Sequence, residues 1–135
     1  MASTNLRELL ETIKTIAVVG ASANEERPSF RVGQFLAENG YDVFAINPGL
    51  AGQELFGNEV YASLADLPFP VDMVDIFRNS EAAGNVVDEA LQLEELPKAI
   101  WMQLGVINKA AAEKAETAGI IVVMDRCPKI ELSKT

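Results

Sequence analysis

The chain has 135 residues, 49% of them hydrophobic and 23% charged, with a formal net charge of −9. That length predicts a single domain burying roughly two-thirds of its unfolded surface, and the acidic balance argues against nucleic acid, whose phosphates need a basic face. There is no histidine and only one cysteine, Cys127, which excludes Ser-His-Asp and Cys-His catalysis, a phosphohistidine, an internal disulfide and any ordinary zinc set within this chain.

Residues 4–13 predict a short amphipathic helix with Leu6, Leu9, Leu10 and Ile13 on one face and Ser3 or Thr4 as its cap. Its acids and helical period do not read as a secretory signal. Strand and helix patterns then alternate. Residues 15–20 predict the first strand and 29–39 a helix that Gly40 stops. Residues 42–46 predict the second strand, closed by Asn47-Pro48-Gly49. A polar loop with Gly52 and Gly57 follows, then a helical turn over 63–67. The third strand covers 71–77, a helix 81–93, the fourth strand 98–103, an alanine-rich helix 109–118 and the fifth strand 120–124. Residues 128–135 read as a polar tail.

This order predicts one α/β domain over residues 1–135, with a helix in 1–14 ahead of it. The architecture is a Rossmann-like, doubly wound, three-layer fold: a five-stranded, mainly parallel sheet flanked by helices. No apolar run approaches the roughly 20 residues that cross a bilayer, and the lone cysteine fits a reducing cytoplasm.

Ligands of open α/β sheets sit beyond the carboxyl ends of the strands. Strand one ends in Gly20-Ala21-Ser22, but the second and third glycines of a dinucleotide turn are missing. Strand two ends in Asn47 where an NAD site places an acid for the ribose; Asn-Pro is also an ordinary turn initiator. Arg27, Arg31, Arg78 and Arg126 follow strand ends or open the first crossover helix, whereas the lysines avoid this edge. Arginine forks suit bidentate phosphate binding, so as a set they point to an anion site. The competing reading pairs them with Asp125, Glu25 and Glu26. Phe77 either stacks on a base or closes the core, and Trp101, in an apolar strand, reads as core. Gln103 and Gly105 are polar and permissive at the fourth strand's end. Cys127 reads as buried and inert, the alternative being a thiolate favoured by Arg126. Asp125 has no partner at a readable spacing. These residues offer no catalytic constellation and no metal set.

Seven motifs in order then resemble the stand-alone CoA-binding domain family, related to the CoA-binding domain of succinyl-CoA synthetase alpha subunits and NDP-forming acyl-CoA synthetases. They are Val19-Gly20-Ala21-Ser22, Arg27-Pro28-Ser29, Asn47-Pro48, Gly57 before Tyr61-Ala62-Ser63-Leu64, Val74-Asp75-Ile76-Phe77-Arg78, Trp101-Met102-Gln103-Leu104-Gly105 and Asp125-Arg126-Cys127. Phe30 departs from the pattern, since many members carry a histidine after Pro-Ser. The resemblance implies that Gly20, Ala21, Ser22, Arg27 and Ser29 hold the phosphates of coenzyme A. It implies that Asn47 and Pro48 border the nucleotide, that Phe77 and Arg78 line the adenine or pantetheine side, and that Gln103 and Gly105 lie near the pantetheine path. The synthetases relay phosphate through a histidine on a further domain, and this chain has neither. The expected function is therefore binding of coenzyme A or an acyl-CoA, as a regulatory or carrier module with no catalysis of its own. The alternatives are a small NAD(P)-dependent oxidoreductase or redox sensor, and the CoA-binding half of a two-protein acyl-CoA ligase.

Overall fold

Side-chain alternation along each strand decides which layer it serves. In β1 (Thr15–Val19), Ile16 and Val18 enter one buried cluster and Ala17 and Val19 the other. The same division holds in β2 (Asp42–Ile46), β5 (Met73–Ile76) and β6 (Ala99–Met102), where Val43, Ala45, Met73, Ala99 and Trp101 face one way and Ile46, Val74, Ile76, Ile100 and Met102 the other. Such two-faced burial requires helices on both sides. They are α1 (Leu6–Glu11) and α2 (Pro28–Glu38) on the first face, and α3 (Ser80–Leu91) and α4 (Lys109–Thr117) on the second. This is the three-layer arrangement expected. The structure, a computed structural model, describes residues 6–133; the expected cap at Ser3 or Thr4 lies outside them. No helix among the described residues is long and apolar enough to cross a membrane.

The main sheet runs β2-β1-β5-β6-β7, with β7 at Ile121–Val123, and every pairing in it is parallel. The chain first winds outward from β1 to β2, then returns across β1 to start β5 and winds the other way. The order therefore reverses between β1 and β5.

Two segments depart from the sequence-based expectation. The polar loop contains a small antiparallel hairpin, β3 (Glu54–Leu55) and β4 (Asn58–Glu59). Its two central residues, Phe56 and Gly57, have φ of 55° and 84°, the signature of a primed turn. The Phe56 ring lies across α2 where Gly33 leaves room for it and meets Phe30 at a centroid distance of 5.7 Å. Phe30 thus packs against the hairpin.

The supposed tail is also ordered over residues 128–133, forming α5 (Pro128–Ser133). Proline suits a first helical position, and the Glu131 amide donates to the Cys127 carbonyl at 3.0 Å. Leu132 packs on the α1/α2 face of the sheet, and an Arg7 guanidinium nitrogen donates to the Leu132 carbonyl at 3.2 Å. Tertiary contact, not local pattern, holds this short helix. Between Ser63 and Leu67 the expected helical turn is a 3-10 turn over Leu64–Asp66.

Candidate functional site

Reversal of strand order opens a crevice beyond the carboxyl ends of β1 and β5. Gly20 follows β1 directly and has φ of 87°. A β-carbon there would stand 2.7 Å from the Phe77 carbonyl oxygen and 2.9 Å from Arg78 Cδ. Only glycine satisfies both conditions, so the residue ending β1 lies hard against the backbone leaving β5. The cleft over this point has a volume of ≈ 710 Å³. It is lined by Gly20, Ala21, Ser22, Arg27, Ser29, Asn47, Phe77, Arg78, Gln103 and Gly105, together with Pro28, Val32, Asn79, Leu104, Val106 and Cys127.

Arg27 and Arg78 are exposed in this cleft. The ion pairs among the described residues join Arg7 to Glu11, Lys98 to Asp72 and Lys114 to Asp88, so neither cleft arginine is neutralised by a carboxylate. Among the described residues Arg126 has no carboxylate partner either, and Arg31 donates to the Glu25 carbonyl; neither of these two lines the cleft. The pairing of these arginines with Asp125, Glu25 and Glu26 is therefore not found. Arg27 is also the N-cap of α2, with no side-chain cap bond, Pro28 in the first turn and Ser29 buried beside it. The Phe30 and Arg31 amides donate to the Arg27 carbonyl, each at 3.1 Å, and the dipole of the helix adds a field at this end that favours anions.

The rest of the rim is built by hydrogen bonds between loops. Asn47 donates from Nδ2 to the Ala21 carbonyl at 2.7 Å and accepts from the Gly49 amide at 2.8 Å. Its side chain thereby ties the glycine turn to the turn after β2, with one bond at each end of the amide. Asp125, at φ of 58°, accepts from the Gly105 amide at 2.7 Å. Trp101 is fully buried and donates from Nε1 to the Arg126 carbonyl at 2.9 Å. These two bonds hold Cys127, 6% exposed, at the cleft wall.

The buried polar side chains among the described residues are Ser29 and Gln103, which line the cleft, and Asp75 in β5, which does not. Among the described residues, both Asp75 oxygens and Gln103 Oε1 are sealed from solvent without a hydrogen-bond partner. Burial alone pushes the Asp75 carboxyl well above its ordinary value of 3.8, because no cation offsets the cost of ionising it there.

Residues 14–133 match the family described as the CoA binding domain. The chain belongs to that family. It is 33% identical to the uncharacterized protein YneT of Bacillus subtilis (strain 168), over 93% of this chain and 90% of that one. A solved Thermus thermophilus protein, cell-free ID.343, superposes with a TM-score of 0.89 at 42% identity, covering 97% of this chain and 96% of that one. A dinucleotide forming acetyl-coenzyme A synthetase 1 of Ca. Korarchaeum cryptofilum, in complex with phosphate and ADP, gives a TM-score of 0.69 at 25% identity. That match covers 86% of this chain but only 27% of the longer synthetase.

Within this CoA-binding domain, the cleft gathers every expected site residue except Pro48. Pro48 opens a 3-10 turn and faces a neighbouring hollow of ≈ 280 Å³, reached past Arg78 and shared with Ser63, Asn85 and Glu89. Phe77, read in the sequence as stacking on a base or closing the core, is half-buried. Asp75 carried no site expectation, although the motif Val74-Asp75-Ile76 places an acid in the middle of a buried strand, which is itself the signal.

Its raised pKa has a testable consequence for stability. The unfolded chain loses this proton near pH 3.8 while the folded chain keeps it. The contribution is fully present below that pH and is lost as pH rises toward the folded pKa, by up to about 1.4 kcal/mol per pH unit. Asp75→Asn is expected to remove this slope, so its stability relative to wild type grows with pH. Urea unfolding at several pH values measures the difference, and parallel pH profiles for the two proteins would contradict it.

Proposed function

We propose that this chain binds coenzyme A or an acyl-CoA without transforming it, as a carrier or regulatory module of the cytoplasm. The observation that carries this reading is the pair Arg27 and Arg78. Both are exposed, neither is ion-paired among the described residues, and both line the cleft at a turn that only glycine can form. In a chain of net charge −9, two unneutralised guanidinium groups beside the N-terminus of α2 favour a phosphate-bearing ligand. On this reading Gly20, Ala21, Ser22, Arg27 and Ser29 hold phosphates. Asn47 and Pro48 border the nucleotide, and Phe77 and Arg78 line its adenine or pantetheine side. Gln103 and Gly105 follow the pantetheine arm toward Cys127.

Two points favour coenzyme A over a nicotinamide dinucleotide. The turn lacks the two further glycines, and Asn47, in place of the ribose-binding acid, spends its side chain on Ala21 and Gly49. A binding role without chemistry is supported by the lack of any histidine in the sequence. Asp125, the acid at the rim, already accepts from the Gly105 amide.

Isothermal titration with coenzyme A, acetyl-CoA and NADH tests the reading. Saturable binding of the CoA species is expected. Tight NADH binding with no heat from either CoA species would overturn it in favour of the oxidoreductase.

The 27% coverage of the acetyl-coenzyme A synthetase favours one second reading, the CoA-binding half of a two-protein ligase. Recovery of an ATP-grasp protein with the tagged chain from cell extract would support it.

A further inference from the structure

Asp75 and Gln103 present an arithmetic problem. Asp75 is 0% and Gln103 5% exposed, and the sealed, unpartnered atoms among the described residues are Asp75 Oδ1 and Oδ2 and Gln103 Oε1. All three are acceptors when the acid is ionised. Acceptors cannot satisfy one another, and each left unmade in a core carries its full desolvation cost. One proton resolves most of this, since a protonated carboxyl gains a donor and one orphan acceptor gains a partner.

The sheet register puts the two groups on one face. Asp75 of β5 lies opposite Trp101 of β6, and Gln103 follows Trp101 by two residues, so its side chain leaves the same side. A strand spacing of about 4.8 Å and a rise of about 3.3 Å per residue separate their α-carbons by about 8 Å, a span that an aspartate and a glutamine bridge together. From β1 and α2 the buried residues on this side are Ile16, Val18, Ser29, Val32 and Leu36, and among the described residues none of them, the Ser29 hydroxyl included, makes a hydrogen bond to the Asp75 oxygens or to Gln103 Oε1; Cys127 is the buried titratable residue of the same apolar cluster. The charged groups lining the cleft above, Arg27 and Arg78, are exposed.

We propose that Asp75 is a positioning residue for the cleft: it stays protonated at neutral pH, donates to Gln103 Oε1, and so turns Gln103 Nε2 toward the ligand. Gln103 lines the cleft while its oxygen is sealed, which leaves the nitrogen end of the amide to meet the bound molecule. The subsite therefore offers a donor, and the ligand group it takes is an acceptor, the carbonyl of an amide or thioester. This part rests on the CoA reading given above. The protonation of Asp75 does not.

Two measurements decide it. In the ligand-free protein, carbon-13 NMR of the aspartate carboxyls is expected to show Asp75 in its acid form at pH 7, with the Gln103 side-chain amide signals moving when Asp75 titrates. An Asp75 carboxyl already ionised at pH 7, or a Gln103 amide indifferent to its titration, overturns the proposal whether or not any ligand binds. In calorimetry with acetyl-CoA, Asp75→Asn keeps a donor and is expected to bind as wild type does. Asp75→Leu, which offers none, is expected to bind about tenfold more weakly. A folded Asp75→Leu protein with wild-type affinity overturns the positioning role; if that variant does not fold, the Asp75→Asn protein and the NMR titration decide. If wild type binds no CoA species at all, the CoA reading fails while the carboxyl titration still judges Asp75.

Discussion

Replacing Gly20 by alanine is expected to abolish binding of CoA species and to destabilise the fold by about 3 kcal/mol. Two independent costs meet at this position. The backbone has φ of 87°, a region where an L side chain is strained by roughly 1–2 kcal/mol. The added methyl would also stand 2.7 Å from the Phe77 carbonyl oxygen and 2.9 Å from Arg78 Cδ. The first contact is with backbone, so relief requires β1 and β5 to part at the carboxyl edge, where Gly20 N also donates to the Ile46 carbonyl at 3.1 Å. The second contact pushes away the arginine that lines the cleft. Urea unfolding and calorimetry on the same preparation separate the two effects. An alanine variant that unfolds and binds like wild type would show that the turn is not a constraint.

The second large effect concerns charge. Arg27→Gln and Arg78→Gln are each expected to weaken CoA binding by about 10- to 100-fold, the range for hydrogen bonds to a charged group. The double variant is expected to bind too weakly to titrate. Stability is expected to change by less than about 0.5 kcal/mol, because neither guanidinium is ion-paired among the described residues. Arg31→Gln is the control, since Arg31 donates to the Glu25 carbonyl and does not line the cleft. Its affinity should match wild type. An equal loss for Arg31→Gln would mean that net charge, and not a site, governs binding.

The sequence disclosed those parts of the site whose chemistry is local. A buried strand ending in glycine, an arginine before Pro-Ser, and an arginine straight after a buried strand each announce themselves within a few residues. The rule that ligands lie beyond the strands' carboxyl ends then brings them together, and all but Pro48 meet in the cleft. Pro48, on a 3-10 turn, lines instead the neighbouring hollow that shares Arg78 with the cleft, a direction that spacing does not encode. The hairpin is not legible in the sequence because Phe56 holds a positive φ usually left to asparagine or glycine. What makes that conformation tolerable is its ring on α2 at Gly33, a contact distant in sequence. Likewise α5 has few apolar residues of its own and exists because α1 and the sheet face receive Leu132. Asp75 is legible as an acid in a buried strand, but that no described residue hydrogen-bonds to it is a property of the tertiary structure.

The reversal of strand order has a consequence for how this chain behaves in a population of molecules. Gly20 and Arg27 belong to the β1–α2 unit, while Arg78 and Gln103 belong to the winding that begins with β5. Whatever fills the cleft holds both units at once and has no comparable hold on the unfolded chain. Occupancy must then raise the free energy of unfolding, by about 2.7 kcal/mol at a free concentration one hundred times the dissociation constant. The survival of the protein against proteolysis would thus rise and fall with its ligand's supply, making its abundance a running record of that supply.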